Sequence, residues 1–353
     1  MPLYGLKILD ISSVLAGPLT GSFFAEMGAE VLKIENRLTG GDVTRQWKLP
    51  VEDVSDLYSA YYASANYGKD VRLMDLTQAD ERHELEQYIA KADIIISNFQ
   101  KRTAQKLDLD PYEIVKRYPE LIFIQLSAYT WDDPRPGYDL VMQGETGWIS
   151  MTGTDDNHLA KLPVALMDII ASHQMRTGGL LALIKKDKTG KGSIVHVSLY
   201  KSAVSALANQ ASNYLMAGIV PQPLGTLHPN IAPYGDIFVT EDQQKVMLAI
   251  GSDLQFKKLW FTLNLDNALY TNFVHNSDRV YDRMQLAIVL QREIGKLKYD
   301  VLAEMLEQEQ LPFCLIHDLK DVFSTPLANE MVNTETKDEC TFRSVSSVAF
   351  SIA

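Results

Sequence analysis

The chain has 353 residues, 46% of them hydrophobic and 22% charged, with a formal net charge of -12 and an isoelectric point near 5.1. That acidic balance argues against broad binding of nucleic acid or of anionic membranes, while leaving room for a local basic pocket. The hydrophobic share excludes a disordered tail, the length permits two or three domains, and without a signal-type N-terminus or an apolar run of about 18 residues the expectation is a cytoplasmic protein.

Leu6 to Ile11 is a short apolar run suited to a buried strand, and Gly17, Pro18 and Gly21 punctuate the turn and helix that follow. Strand character returns at Glu30 to Glu35 through Val31, Leu32 and Ile34. Strand, helix, strand is the opening of a doubly wound α/β sheet, whose ligand-facing loops lie beyond the C-terminal ends of its strands. Gly17, Gly21 and Gly28 fall short of the glycine fingerprint of a dinucleotide site, so nicotinamide chemistry is not expected. The turn-rich stretch 36–50 carries Arg37, Arg45 and Lys48, and Asn66 to Lys69 forms a compact polar turn before a strand at Val71 to Met74. A cation on such a loop serves either a phosphate group or a solvated face, and Lys69 is open to both readings.

A surface helix is predicted over Gln78 to Ala90, then a strand in ADIIIS. Directly after it, Asn98, Phe99, Lys101 and Arg102 offer an amide, an aromatic face and two cations at the expected loop position. The segment DPYEIVKRYPELIFIQLS repeats the pattern, with Pro119 ending the helix and Leu121 to Leu126 forming the strand. In RPGYD, Asp139 reads as a helix cap and Tyr138 as a space-filling aromatic that keeps a hydroxyl for hydrogen bonding.

Lys161 to Ile184 is the stretch around which the rest is organised. Asp168 sits there among Ile169, Ile170, Leu180, Leu181, Leu183 and Ile184, where a carboxylate is expensive unless it is paired, capping or employed in chemistry. Pro163 stops a helix upstream, so a helix beginning near residue 168 makes Asp168 a natural N-cap. The same amides and helix dipole also stabilise a carboxylate that must be ionised to act as a nucleophile, so the two readings are compatible.

A lysine-rich turn, a strand at Ile194 to Leu199 and another helix follow. Prolines and glycines in PQPLGTLHPNIAPYG mark a linker, DIFVTEDQQKVMLAIGSD a hairpin turning at EDQQ, and helices then run to Pro312. The expected division is a large Rossmann-like domain over 1–221, a smaller α+β domain over 222–315, and a return segment over 316–353. His228, beside a proline, reads as a structural hydrogen-bonding residue. Cys314 and Cys340 form neither a metal-ligand spacing nor a disulfide framework, and no metal is expected.

The ordered series LDISSVLAGPLTGSFFAEMGAEVLKIENRLTGGDVTR, ADIIISNF, LIFIQLSAY, RPGYD, GKGSIVHVSLYKS, HPNIAPYG and DVFSTP resembles the class III coenzyme A-transferase family, across nearly the whole chain. That family includes formyl-coenzyme A transferase, carnitine coenzyme A-transferase and alpha-methylacyl-coenzyme A racemase. The resemblance implies an interlocked homodimer of ring-like subunits, each with a large Rossmann-like domain that binds coenzyme A and a small domain. It implies that Asp168 attacks the donor thioester, and that anhydride and aspartyl thioester intermediates then carry the coenzyme to an acceptor acid. Coenzyme A enters as a substrate, beside a small carboxylic acid, and no permanently bound cofactor is implied. By local motif the coenzyme lies against Val14 and Ala16 and beside Asn98, Phe99 and Lys101, with Lys69 and Arg37 as further contacts. The family's arginine-proline-glycine after the asparagine-phenylalanine pair is replaced here by Gln100, Lys101 and Arg102, so Arg102 is an alternative to Lys101.

Tyr138 stands where the racemase branch carries a histidine before its aspartate. A phenol ionising near pH 10 is a poorer base at neutrality than an imidazole near 6.5, which favours transfer over racemisation. The resemblance then gives Tyr138 the task of orienting a carboxylate or acyl group. A racemase-like enzyme and a noncatalytic acyl-coenzyme A-binding homologue are the alternatives. No glycine-rich lid is evident around HPNIAPYGDIF, so formyl or oxalyl specificity is not carried over. Ending at SVAFSIA, the chain is expected to lack the family's usual C-terminal end.

Overall fold

The computed structural model describes residues 1–338 and 340–352. Two compact units divide them. The first comprises Met1–Trp148, Lys161–Ile219 and the chain from Pro326 onward, and the second Ile149–Ala160 and Val220–Thr325.

The first unit is built on β1 (Lys7–Asp10), β2 (Glu30–Asn36), β3 (Asp70–Met74), β4 (Ile94–Ser97), β5 (Ile122–Ser127) and β6 (Ser193–Ser198). They form one sheet in the order β3-β2-β1-β4-β5-β6, every neighbour parallel. This is the mixed α/β architecture that the strand and helix alternation predicts. Parallel neighbours need crossovers, supplied by α1 (Ala16–Glu26) between β1 and β2, and by α2 (Asp139–Glu145) and α3 (Leu166–Thr189) between β5 and β6. Covered on both faces, the central strands can be apolar throughout, as Ile94–Ile96 and Ile122–Ile124 are.

One face packs Phe23 and Phe24 of α1 and Met167, Ala171 and Met175 of α3 against Ile8, Ile96 and Ile124. Gly179 permits that closeness, since a Cβ there would lie 2.8 Å from Ile124 Cδ1 and 3.2 Å from Phe24 Cζ. The other face buries Leu85, Ile89 and Ile114, from helices Ala79–Ile89 and Pro111–Arg117, against Leu9, Ile95 and Phe123. Strand order reverses between β1 and β4, and such a switch point opens a crevice at the C-terminal strand ends.

The second unit pairs β7 (Tyr234–Val239), β8 (Lys245–Ala249) and β9 (Phe313–Leu315) in antiparallel order, with the expected hairpin turn at Glu241–Gln244. Helices Asp253–Thr262, Arg283–Ile294 and Tyr299–Gln308 close its core around Phe256, Trp260, Leu290, Leu302 and Leu306. It also takes in Ile149–Ala160, a segment that the sequence reading counts with the large domain. Near the chain end β10 (Val332–Lys337) and β11 (Cys340–Val345) form an antiparallel ribbon of the first unit, with Phe342 packed on Tyr58 and Tyr62. Among the described residues no helix is long and apolar enough to cross a membrane.

Candidate active site

Asp168 lies in the first turn of α3, but it is not the cap. The helix begins at Leu166, Ala165 holds the N-cap position, and the Met167 N–H donates to Asp139 Oδ1 at 2.7 Å. The acceptor thus comes from α2, 28 positions earlier, where Gln143 Nε2 also donates to Asp139 Oδ2 at 2.6 Å. This corrects the expected N-cap role and leaves Asp168 unconsumed by capping. Its carboxylate is partly buried, and no hydrogen bond to it occurs among the described residues. Burial first, and then the Asp139 charge, push the Asp168 carboxyl up to about 7. A helix dipole favours an anion there by only about 0.3–1 kcal/mol, less than one pKa unit, so burial and repulsion prevail.

Tyr61 completes this cluster. Burial first, and then the carboxyl groups of Asp168, Asp139 and Asp42, push its phenol up, which keeps it a neutral group. It rides on the short helix Ala60–Ala63, capped by Ser59, with Trp47 edge-on at 5.0 Å between ring centroids. The next residue, Tyr62, anchors that helix by donating to Glu35 Oε1 at 2.7 Å. Tyr138 occupies the N-cap position of α2 and is 62% exposed.

The crevice holds a cavity of about 340 Å³, lined by Ser12 and Ser13 after β1, Leu38 and Asp42 after β2, Asp75 after β3 and Phe99 after β4. Asn98 holds the lining residue Ser13 by pairing with its main chain in both directions, accepting from N at 3.1 Å and donating to O at 2.9 Å. Val14 follows with φ at +73°, a left-handed conformation that a β-branched residue rarely adopts. Its N–H points to Asp42, at 3.2 Å from Oδ2. Ala16, buried, opens α1. Of the expected coenzyme contacts, Phe99 thus lines the cavity, while Asn98 and Val14 bond to Ser13 and Asp42, which line it; Tyr61 feels the charges of both Asp42 and Asp168.

The cations fare differently. Arg37 is exposed and donates to Glu81 at 2.7 Å and to the Leu73 carbonyl at 3.0 Å. Lys101 pairs with Asp132 at 2.5 Å, and Arg102 is exposed on the same helix, Lys101–Lys106. Lys69 must be corrected as a coenzyme contact. Its ammonium is fully buried and donates to Asp10 Oδ2 at 2.9 Å, the Pro18 carbonyl at 2.7 Å and Asn66 Oδ1 at 3.2 Å. Burial pulls Lys69 down to about 8. Burial would raise Asp10, but Lys69 and Lys33 outweigh it and hold that carboxyl below its usual range. Small residues in α1 make room for the pair, because a Cβ at Gly21 would lie 2.8 Å from Asp10 Oδ2, and one at Gly17 only 2.2 Å from Ser12 Oγ.

Sequence reasoning missed Lys33, Asp42 and Tyr61. Lys33, fully buried in β2, donates to the Ser12 carbonyl at 2.9 Å and pairs with Asp42 at 3.2 Å. A signal existed: a lysine between Leu32 and Ile34 in a strand of a doubly covered sheet needs a buried partner.

A family model described as CoA-transferase family III matches residues 3–352. Succinate–glutarate CoA-transferase of Agrobacterium fabrum is 32% identical over 335 residues, covering 92% of this chain and 82% of that protein. The human succinyl-CoA:glutarate CoA-transferase is 30% identical over 333 residues, covering 92% and 74% respectively. Among solved structures, a CAIB/BAIF family protein from Brucella suis superposes with a TM-score of 0.85 at 32% identity, covering 100% of this chain and 93% of that one. With the match running almost end to end, the chain belongs to CoA-transferase family III, enzymes that act on coenzyme A thioesters.

Proposed function

We propose that this enzyme moves coenzyme A between two small dicarboxylic acids of the succinate and glutarate kind, through covalent intermediates on Asp168. The observation that carries this reading is Asp168 itself, a partly buried carboxylate without a hydrogen bond among the described residues, held near 7 and beside a neutral phenol. The acids are suggested by the names of the Agrobacterium fabrum and human relatives.

Ionised Asp168 attacks the thioester carbonyl of the donor, the carbon–sulfur bond breaks, and coenzyme A leaves as thiolate. The resulting anhydride is attacked by that thiolate at the aspartyl carbonyl, which frees the donor acid and leaves an aspartyl thioester. The acceptor carboxylate displaces the thiolate to form a second anhydride. The thiolate then takes the acceptor acyl group and releases Asp168. Each step exchanges one acyl bond for another, and no oxidant or reductant is consumed. Tyr61 supports the oxyanion of these steps, as a neutral donor in a partly buried site serves developing charge best. Tyr138 orients the acceptor at the mouth of the site.

In this reading the large domain receives the coenzyme. Its adenine lies on Phe99 in the crevice, and its pantetheine runs past Val14 and Ala16 on the loop that Asn98 holds. Lys101, Arg102 and Arg37 take its phosphates at the rim, which requires the Lys101–Asp132 and Arg37–Glu81 pairs to open. Subunits associate as interlocked homodimers.

The test is intact-protein mass spectrometry after incubation with succinyl-coenzyme A, followed by hydroxylamine trapping and peptide mapping. The expected result is a donor-dependent adduct on Asp168 that is absent from Asp168→Ala, a variant that still binds coenzyme A. An α-proton exchange signal without an adduct would replace transfer by racemisation, and neither signal would leave a binding homologue.

A further inference from the structure

We propose that Asp42 is a positioning residue for coenzyme A, because its buried carboxylate fixes the left-handed Val14 on which the coenzyme rests. The proposal goes beyond the function above but rests on its placement of the coenzyme.

Asp42 is 5% exposed and spends its carboxylate on four groups. Oδ1 accepts from the Thr44 N–H at 3.0 Å and the Thr44 hydroxyl at 2.8 Å, Oδ2 pairs with Lys33, and both oxygens face the Val14 N–H, at 3.4 and 3.2 Å. Its own N–H donates to Glu35 Oε2 at 2.9 Å, and Glu35 is in turn gripped by Arg45 Nε at 2.6 Å and by the Tyr62 hydroxyl. On the opposite side Lys33 draws in the Ser12 carbonyl, and Asp10 holds the Ser12 N–H at 3.0 Å. Ser12, Ser13 and Val14 are thus pinned by Asp10, Asn98 and Asp42 in turn. Val14 is the residue that needs it most, because a valine left to itself avoids φ near +73°. A carboxylate facing the amide is a stronger acceptor than a neutral group, so it makes the strained conformer the populated one. Loosening this loop lowers the fraction of molecules competent to bind and weakens apparent affinity in proportion. The same Glu35 and Tyr62 contacts anchor the helix that carries Tyr61, so one buried chain of hydrogen bonds holds both ends of the site.

The experiment compares wild type, Asp42→Asn, Val14→Gly and the double variant by coenzyme A calorimetry, steady-state kinetics and melting. Glycine adopts positive φ without strain, so it removes the need for the clamp. Asp42→Asn is expected to raise the coenzyme A Kd and the acyl-coenzyme A KM roughly tenfold. Its kcat should stay within about twofold, and Val14→Gly should recover most of the lost affinity in the double variant. A lowered melting temperature with an unchanged Kd, or a double variant as weak as Asp42→Asn alone, overturns the positioning role. Wild-type protein that fails to bind coenzyme A, or binds it with Phe99→Ala unaffected, overturns the placement of the coenzyme and the proposal with it. If Asp42→Asn does not accumulate folded, Thr44→Val removes one hydrogen bond from Oδ1 and no charge. A Kd raised about threefold then supports the clamp, and an unchanged Kd refutes it.

Discussion

At the scale of one residue, the chemistry turns on whether Asp168 carries a proton. Its carboxyl is raised from 3.8 to about 7, first by burial and then by Asp139, so near neutrality a substantial fraction cannot attack. Transfer measured as kcat/KM should therefore fall as pH drops below about 7, with an acid limb that belongs to the free enzyme. The same shift acts on stability. A carboxyl that binds its proton more tightly when folded contributes stability that is complete below 3.8 and is lost as pH rises through about 7. Asp168→Asn cannot titrate and should melt above wild type at pH 8, with the gap closing towards pH 4. A gap that is constant across that range would remove burial of the charge as the cause. Asp168 could be singled out in the sequence because an acid among Ile169, Ile170 and Leu180 is costly whatever surrounds it. That it does not cap its own helix could not be read there, since the replacing acceptor, Asp139, arrives from 28 positions away. The inward turn of Lys69 is hidden from the sequence for the same reason. Its partner Asp10 is 59 positions distant, and nothing in the turn Asn66 to Lys69 says that its ammonium points inward.

At the scale of elements, α2 and α3 are locked by one carboxylate. Asp139 is the first residue of α2 and accepts from the Met167 N–H in the first turn of α3. Gln143, one turn further along α2, donates to Asp139 and accepts from the Leu162 N–H at 2.8 Å, which ties down the approach to α3. Asp139 therefore both aims Asp168 and repels its charge, and substitutions separate the two effects. Asp139→Asn keeps an acceptor for Met167 but removes the charge, so the acid limb of the pH profile should move to lower pH with little loss of stability. Asp139→Ala removes the acceptor as well and should cost about 1 kcal/mol of stability in chemical denaturation, with a fall in kcat because the first turn of α3 is freed. An acid limb that stays in place in Asp139→Asn would mean that burial alone sets the Asp168 proton. Elements of this kind were the legible part of the fold. The apolar runs of β1, β4 and β5, the helix Ala79–Ile89 and the turn at Glu241–Gln244 follow from periodicity and turn residues. The order of the strands does not, because it depends on which crossover packs on which face. The cluster of Lys33, Asp42 and Tyr61 forms only once that order is set.

At the scale of the molecule, the first unit leaves apolar side chains in water that a lone chain has no use for. Leu181 and Ile184 project from α3 with more than half of their surface exposed, and Leu215 and Met216 on helix Ala208–Ala217 are 77% and 87% exposed. That helix buries none of its residues within the chain. Such surfaces are normally covered by a partner, and a second copy is the partner that the proposed assembly supplies. Sedimentation should then give a particle of two 39.6 kDa chains. Mass alone does not separate a surface dimer from two rings passing through one another, but dilution does. A surface dimer dissociates when its concentration falls below its Kd. Interlocked rings can separate only if one chain opens, so exchange between differently labelled dimers should be slow under native conditions and should accelerate with the denaturant that unfolds the chain. Rapid subunit exchange in plain buffer, or a monomer at any concentration that retains activity, would refute the interlocked arrangement while leaving the chemistry of Asp168 untouched.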